Sequence, residues 1–254
     1  MNETNQTDRF APLFAELDRR LAGDLPVRLA IEGGSASGKT TLGKILAERY
    51  GCTVFHMDDF FLRSEQRTAA RFAEPGGNVD RERFLAEVLL PLRRGEKVFY
   101  RRFDCASMQL QNAVETAPKK LVVAEGAYSM HPDLAPYYDL SVFLDISPEL
   151  QRERISRRNT PEKANRCFAE WIPMEQAYFA AFDIPAKCTL HIPILYRKKR
   201  QLQSHHPRLR RRKGPDGRCV GDPSPQSGHE PRIHYRGFYE DRVQSGSVSR
   251  AVCR

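Results

Sequence analysis

The chain has 254 residues, 40% of them apolar and 29% charged, which suits one large domain or one domain with an appendage. No apolar run approaches the roughly 20 residues needed to span a bilayer, and the opening MNETNQTDRF lacks an apolar signal core. A membrane protein and a secreted one are therefore set aside, and a cytoplasmic location is expected. The net charge of +9 is uneven: from Arg197 onward there are 15 Lys/Arg against 5 Asp/Glu, leaving 26 against 27 before it.

In chain order, FAPLFAELDRRLA (10–22) repeats at helical spacing and ends at Gly23. VRLAIE (27–32) is a short apolar strand between Pro26 and Gly33, and KTTLGKILAERY (39–50) is a helix. CTVFH (52–56) is a second strand and runs into MDDFF. DRERFLAEVLLPL (80–92) has helical period, with Asp80 as its N-cap. KVFYR (97–101) is one strand of a small hairpin, and KLVVAE (120–125) and DLSVFLDI (139–146) are buried-type strands. SPELQRERISRR (147–158) opens with a Ser cap and a first-turn proline. FAEWIPMEQAYFAAF (168–182) is a helical stretch expected to be broken or to begin near Pro173, and CTLHI (188–192) is a weak last strand. Strands that are apolar throughout and alternate with helices predict a parallel α/β sheet covered on both faces. Pro193 argues against a central place for the last strand.

Gly33, Gly38, Lys39 and Thr40 in IEGGSASGKTT fall on the spacing G-x-x-x-x-G-K-[ST], between a strand and a helix, which is the context a P-loop requires. The glycines let successive N–H groups turn inward onto phosphate oxygens, and the following helix adds the positive end of its dipole. Gly33, Gly34, Ser35, Ala36, Ser37, Gly38, Lys39, Thr40 and Thr41 are thus expected to cradle ATP. Lys39 would reach the β- and γ-phosphates and Thr40 would offer its hydroxyl to Mg2+. In an open parallel sheet the ligand lies beyond the carboxyl ends of the strands. Asp58, Asp59, Glu125 and Asp145 stand at such ends. Asp58 and Glu125 suit a metal ligand and a base for a hydroxyl acceptor, whereas Asp145 reads as a cap for the next helix. Arg152, Arg154, Arg157 and Arg158 crowd one helix and its exit. Beside a P-loop, some of them are expected to close over the triphosphate.

Together these segments resemble the uridine kinase-like branch of the P-loop nucleoside kinases. The resemblance runs from about Val27 to about Cys188 through GGSASGKTT, HMDDFFLR, EPGGNVDRERF, FYRRFDC, VVAEGAYSMHP, YYDLSVFLDI, RERISRR and FAEWIPMEQAYF. It implies a P-loop NTPase fold with a five-stranded parallel sheet, flanking helices, a small β-hairpin over the acceptor and an Arg-rich lid. It implies transfer of the γ-phosphate of ATP to a small-molecule hydroxyl, typically of uridine or cytidine. By resemblance, Asp58 takes the acceptor proton and joins Thr40 and Glu125 around Mg2+, while Lys39, Arg154, Arg157 and Arg158 serve the transferring phosphate. Asp59, Arg63, Asp80, Tyr100 and Phe103 would form the acceptor side, with Asp80 on ribose hydroxyls. The hairpin departs from the pyrimidine-reading pattern, since Phe103 and Cys105 are followed by ASMQ with no histidine. The resemblance therefore carries phosphoryl transfer further than it carries uridine as the acceptor. A kinase of another alcohol, of pantothenate or sugar type, shares the scaffold.

After Leu195 the texture becomes rich in Arg, Ser, Gly, Pro and His with no apolar period, so residues 1–195 are expected to form the kinase domain and 196–254 a basic, disordered tail. A change of reading frame in the coding sequence would produce such text. Nucleic acid would be a partner only through this tail, by salt-dependent phosphate contacts. A different class of function shares these features: a non-catalytic nucleotide-binding protein with a nucleic-acid-binding basic tail. The six cysteines are widely separated and form no C-x-x-C pair, as for reduced thiols.

Overall fold

The computed structural model describes residues 8–195; the expected tail, 196–254, lies outside the described residues. A 3-10 turn, Asp8–Phe10, leads into α1 (Ala11–Leu21). β1 (Val27–Gly33), α2 (Lys39–Tyr50) and β2 (Thr53–His56) follow, and β2 ends in the 3-10 turn Met57–Phe60. Helix α3 covers 81–93, capped at its start by Asp80, whose carboxylate accepts from the Arg83 amide. β3 (Val98–Asp104) and β4 (Gln109–Thr116) form the antiparallel hairpin. β5 (Leu121–Glu125), β6 (Leu140–Ile146), α4 (Pro148–Arg158), α5 (161–182) and β7 (Leu190–Ile194) complete the order.

The main sheet has five parallel strands in the order β2-β5-β1-β6-β7. Alternate residues of its central strands supply two cores. Ala30, Val122, Ala124 and Phe143 face one side, with Phe55, Phe60, Phe84 and Tyr178. Leu29, Ile31, Val123, Val142 and Leu144 face the other, with Phe14, Leu17, Leu42 and Leu46. Helices α3 and α5 thus cover one face and α1 and α2 the opposite one. This is why the strands read as continuous apolar runs.

Three details differ from the sequence reading. β7 lies at 190–194 rather than 188–192, with Pro193 beside Asp145. It is the edge strand, where a residue without an N–H is tolerated. The helix around Pro173 is neither begun nor broken there; α5 starts at Pro161 and passes through a π-helical stretch, Cys167–Trp171, immediately before Ile172 and Pro173. Helix α3 does the same before Pro91, with Leu85–Leu89 wound as a π-helix. The wider turn relieves the clash of the proline ring with the preceding turn and absorbs its missing donor. Strand β4 has no sequence signature, because its residues are mostly exposed and its partner strand alone defines it.

Phe60 is fully buried, stands edge-on to Phe84 at 4.8 Å between centroids, and carries the Arg83 guanidinium 4.3 Å above its ring. Phe60→Ala is expected to cost about 3–5 kcal/mol, read as a lower urea midpoint at unchanged slope. A loss below about 1 kcal/mol would remove this ring from the core.

Candidate active site

The P-loop connects β1 to α2. Gly33 has φ 142°, and a Cβ there would stand 2.5 Å from the Leu144 carbonyl oxygen. Gly38, at φ 103°, precedes the first turn of α2 and supplies no side-chain cap, so the opening amides of that helix stay available to an anion. Ala36 holds φ 63°, a left-handed conformation that costs a non-glycine residue energy and marks a constrained loop.

The loop's carbonyls are met by side chains. Lys39 Nζ donates to Gly33 O at 2.7 Å and Gly34 O at 2.9 Å. Gln151 Nε2 donates to Ser35 O at 2.9 Å, and Arg154 donates to Ala36 O at 2.8 Å. Ser35 gives its amide to Glu175 Oε2 at 2.8 Å and its hydroxyl to Glu175 Oε1 at 2.6 Å. Glu175 is itself buried, at 4% exposed. Helices α4 and α5 thereby brace the loop through Gln151, Arg154 and Glu175.

The carboxylates come from neighbouring strands. Glu125, at the end of β5, pairs in register with Ile31 of β1 and His56 of β2. Its Oε1 accepts from Thr40 Oγ1 at 3.0 Å and lies 2.6 Å from His56 Nδ1. That contact pushes the imidazole above its ordinary range. Asp58 sits on the turn after β2 and opens onto the same cleft. Its carboxyl is accessible from the cleft yet walled by protein on its other sides. That partial withdrawal from water, and then the Glu125 charge, push it above the usual carboxylate range, against the pull of Lys39 and His56. Thr40, Glu125 and Asp58 together offer hard oxygen donors of the kind magnesium takes. Among the described residues no group of three or more His, Cys, Asp or Glu side chains could hold an ion alone. A magnesium ion bound by one or two carboxylates plus phosphate oxygens does not require such a group.

One cleft of about 430 Å³ gathers Ser35, Ala36, Ser37, Gly38, Lys39, Thr40, Thr41, Asp58, Glu125, Arg154, Arg157 and Arg158. Gly33 and Gly34 form the base of the loop beneath it. Arg152 goes elsewhere, stacking 4.5 Å from the Phe168 ring centroid. The five residues expected on the acceptor side do not line this cleft. Asp59 faces the hairpin, 3.3 Å from Arg102 Nε, and Arg63 pairs with Glu65 at 3.1 Å. Asp80 is buried as the α3 cap, with one carboxylate oxygen lacking a hydrogen bond. Tyr100 is wedged between Phe55 and Phe60, and Phe103 is buried under the Arg67 guanidinium at 5.7 Å. Asp145 pairs with His191 at 3.3 Å and does not cap α4, a task Ser147 performs.

With this geometry in view, a family model described as shikimate kinase matches residues 35–89, which hold most of the P-loop, α2, β2 and Asp58. A uridine kinase of Clostridium perfringens is 24% identical over 143 residues, 52% of this chain and 66% of its own length. A uridine kinase of Chloroflexus aurantiacus is 26% identical over 54% of this chain and 70% of its own. A structure described as a possible uridine kinase from Bacillus stearothermophilus superposes with a TM-score of 0.52 at 18% identity, covering 70% of this chain and 99% of that one. The chain has the fold of the uridine kinase-like P-loop kinases. It spans just under two thirds of the length of the Clostridium relative. Among the described residues no helix is long and apolar enough to cross a membrane.

The sequence reading passed over Glu32, Gln151 and Glu175. The last two reach the loop only through tertiary packing. Glu32 carried a signal, a lone charge closing the apolar run VRLAIE. It is fully buried and accepts from the amides of Gly33 (2.9 Å), Met130 (3.0 Å) and Tyr128 (3.2 Å) and from Tyr178 OH (3.1 Å). Burial outweighs these donors and pushes its carboxyl up from 4.5 to about 7. Because the folded state favours the protonated form, the stability this group contributes is complete below pH 4.5 and is lost as the pH rises through about 7. Across that window the loss is on the order of 3 kcal/mol. Glu32→Gln is expected to flatten the dependence of urea-unfolding stability on pH between those limits. An unchanged slope would assign the titration to another group.

Proposed function

We propose that the protein is an ATP-dependent kinase of a small alcohol, transferring the γ-phosphoryl group to a hydroxyl of a nucleoside-like acceptor, and that residues 1–195 form its catalytic domain. The observation that carries this reading is the convergence of Lys39, Thr40, Asp58 and Glu125 on one cleft with three arginines of α4. A phosphate cradle alone would serve any nucleotide binder. A carboxylate facing that cradle, Asp58, is placed to take the proton of an acceptor hydroxyl.

In this reading the amides at the start of α2 and Lys39 hold the β- and γ-phosphates, so Lys39 leaves its resting partners, the Gly33 and Gly34 carbonyls. Asp58 accepts the proton of the acceptor hydroxyl as its oxygen bonds to the γ-phosphorus and the bond to the departing ADP oxygen breaks. Arg157 and Arg158 stabilise the charge spread over the transferring group. Thr40, Glu125 and Asp58 would hold Mg2+, which when bound supplies neutralisation of the β- and γ-oxygens. Glu125 then exchanges its contact with Thr40 for a shared ligand role.

A second reading, a sugar-type alcohol as acceptor, is favoured by one contact. The ring of Phe103, on which a base would stack, is covered by the Arg67 guanidinium. A phosphoryl-transfer screen with ATP over nucleosides, sugars and pantothenate decides between the acceptors, and transfer to none of them would overturn the kinase reading.

Lys39→Ala is expected to lower turnover by about 100-fold or more. Asp58→Asn keeps the shape and loses the proton acceptor, so ATP should still bind while transfer collapses. Turnover close to the unsubstituted protein in Lys39→Ala, or normal transfer by Asp58→Asn, would take the residue out of the mechanism.

A further inference from the structure

The cleft crosses the carboxyl ends of the sheet, and strand order gives it a direction. Asp58 and Glu125 follow β2 and β5 at one side, the P-loop follows β1 in the middle, and Ile194 closes β7 at the far edge. A nucleotide whose γ-phosphate meets Asp58 must lay its remaining phosphates and base toward β7. At that end the cleft is lined by two residues of the N-terminal turn, Arg9 and Phe10, which precede the stretch of family resemblance beginning near Val27. Phe10 is 6% exposed and shares a core with Ile192 and Ile194, so its place does not depend on a ligand. The Arg9 guanidinium lies 6.0 Å from the Phe10 ring centroid.

We infer that Arg9 and Phe10 belong to the nucleotide site: Arg9 is a further guanidinium for the polyphosphate beside Arg154, Arg157 and Arg158, and Phe10 with Ile194 is the apolar wall on the base side. The inference rests on the kinase reading and deepens it. Arg9, Lys39, Arg154, Arg157 and Arg158 line one cleft, and among the described residues that arrangement leaves a demand for an anion. Arg154 registers this crowding. After burial, the charges of Arg9 and Arg157 are the main forces holding its guanidinium below the ordinary range, with Glu153 opposing. The carboxylates of the cleft do not answer the demand at this end. Glu175 is engaged with Ser35, and Glu125 with Thr40 and His56. The base-side wall is therefore built by the 3-10 turn that leads into α1, with Ile194 of β7, and that turn has no nucleotide-binding motif of its own.

The test is fluorescence titration of the full-length chain with mant-ATP, with unlabelled ATP as competitor, for the unsubstituted protein, Arg9→Ala, Arg9→Lys and Arg19→Ala. Arg19 serves as control because it is exposed and pairs only along its own helix with Glu16. Arg9→Ala is expected to raise the Kd for ATP about five- to tenfold, with Arg9→Lys recovering part of the loss and Arg19→Ala unchanged. The salt dependence of ATP binding should also become shallower in Arg9→Ala. In the transfer assay the KM for ATP should rise while the KM for the acceptor holds. Equal ATP affinity in Arg9→Ala and the unsubstituted protein would overturn this inference and leave the kinase reading standing. Absence of mant-ATP binding to the unsubstituted protein would overturn both.

Discussion

The carboxylate of Glu32 joins the two strands on which the site is built. It stands next to the end of β1, and its donors come from the loop root at Gly33, from the segment leaving β5 at Tyr128 and Met130, and from Tyr178 of α5. A buried carboxylate is tolerated only when its oxygens are met by donors, and here five donors meet them, the Ser129 hydroxyl at 3.5 Å completing the set. Tyr128 pays for its place with φ 75°, a strained backbone held by the bond from its amide to Glu32. A second tie runs from the Gly126 amide to Ile31 O. The direction in which Glu125 leaves β5 is therefore set against the P-loop by the same few contacts that shape the loop.

Around this joint the charges sort by the face of the loop they address. Lys39, Gln151 and Arg154 meet loop carbonyls, and Ser35 is anchored by Glu175. Filling the carbonyl side with donors leaves the helix-start amides as the exposed electropositive surface, which is the polarity an anion requires. The acidic pair, Asp58 and Glu125, lies across from it. Burial and then the Glu125 charge raise Asp58, and the contact with Glu125 draws His56 toward its charged form.

Glu175, Gln151, Tyr178 and Arg154, which support the loop and Glu32, all come from α4 and α5, which are tied together by Ile155, Ala164 and Cys167. Helix α5 is continuous where local sequence pointed to a break near Pro173. Pro173 and Pro91 each follow a π-helical stretch, so a strong local stop signal is absorbed by one wider turn. The hairpin shows the converse case. Its outer strand has little local preference and exists because β3 pairs with it, while the inner strand buries Val98, Tyr100 and Phe103 against the body.

Much of the fold was legible in the sequence because the relevant forces are local or periodic. Apolar runs placed β1, β2, β5 and β6 to within a residue or two, and helical spacing with capping by Asp80 and Ser147 placed the starts of α3 and α4. The P-loop spacing marked the phosphate cradle, since a loop of that geometry needs glycine where φ is positive or where backbone approaches. Tertiary structure decided the rest. The parallel order β2-β5-β1-β6-β7 brings Asp58, Thr40 and Glu125 to one cleft from positions 18 and 67 residues apart along the chain. No local pattern records that distance. The same packing turns Tyr100 and Phe103 into core and makes Asp80 a buried cap. It also recruits Arg9, Gln151 and Glu175 to the loop. Sequence by itself determined which groups can do chemistry and which segments are strands or helices. Which of those groups meet was decided only by the stacking of helices on the sheet, because contact between distant residues is a property of the packed core and not of spacing along the chain.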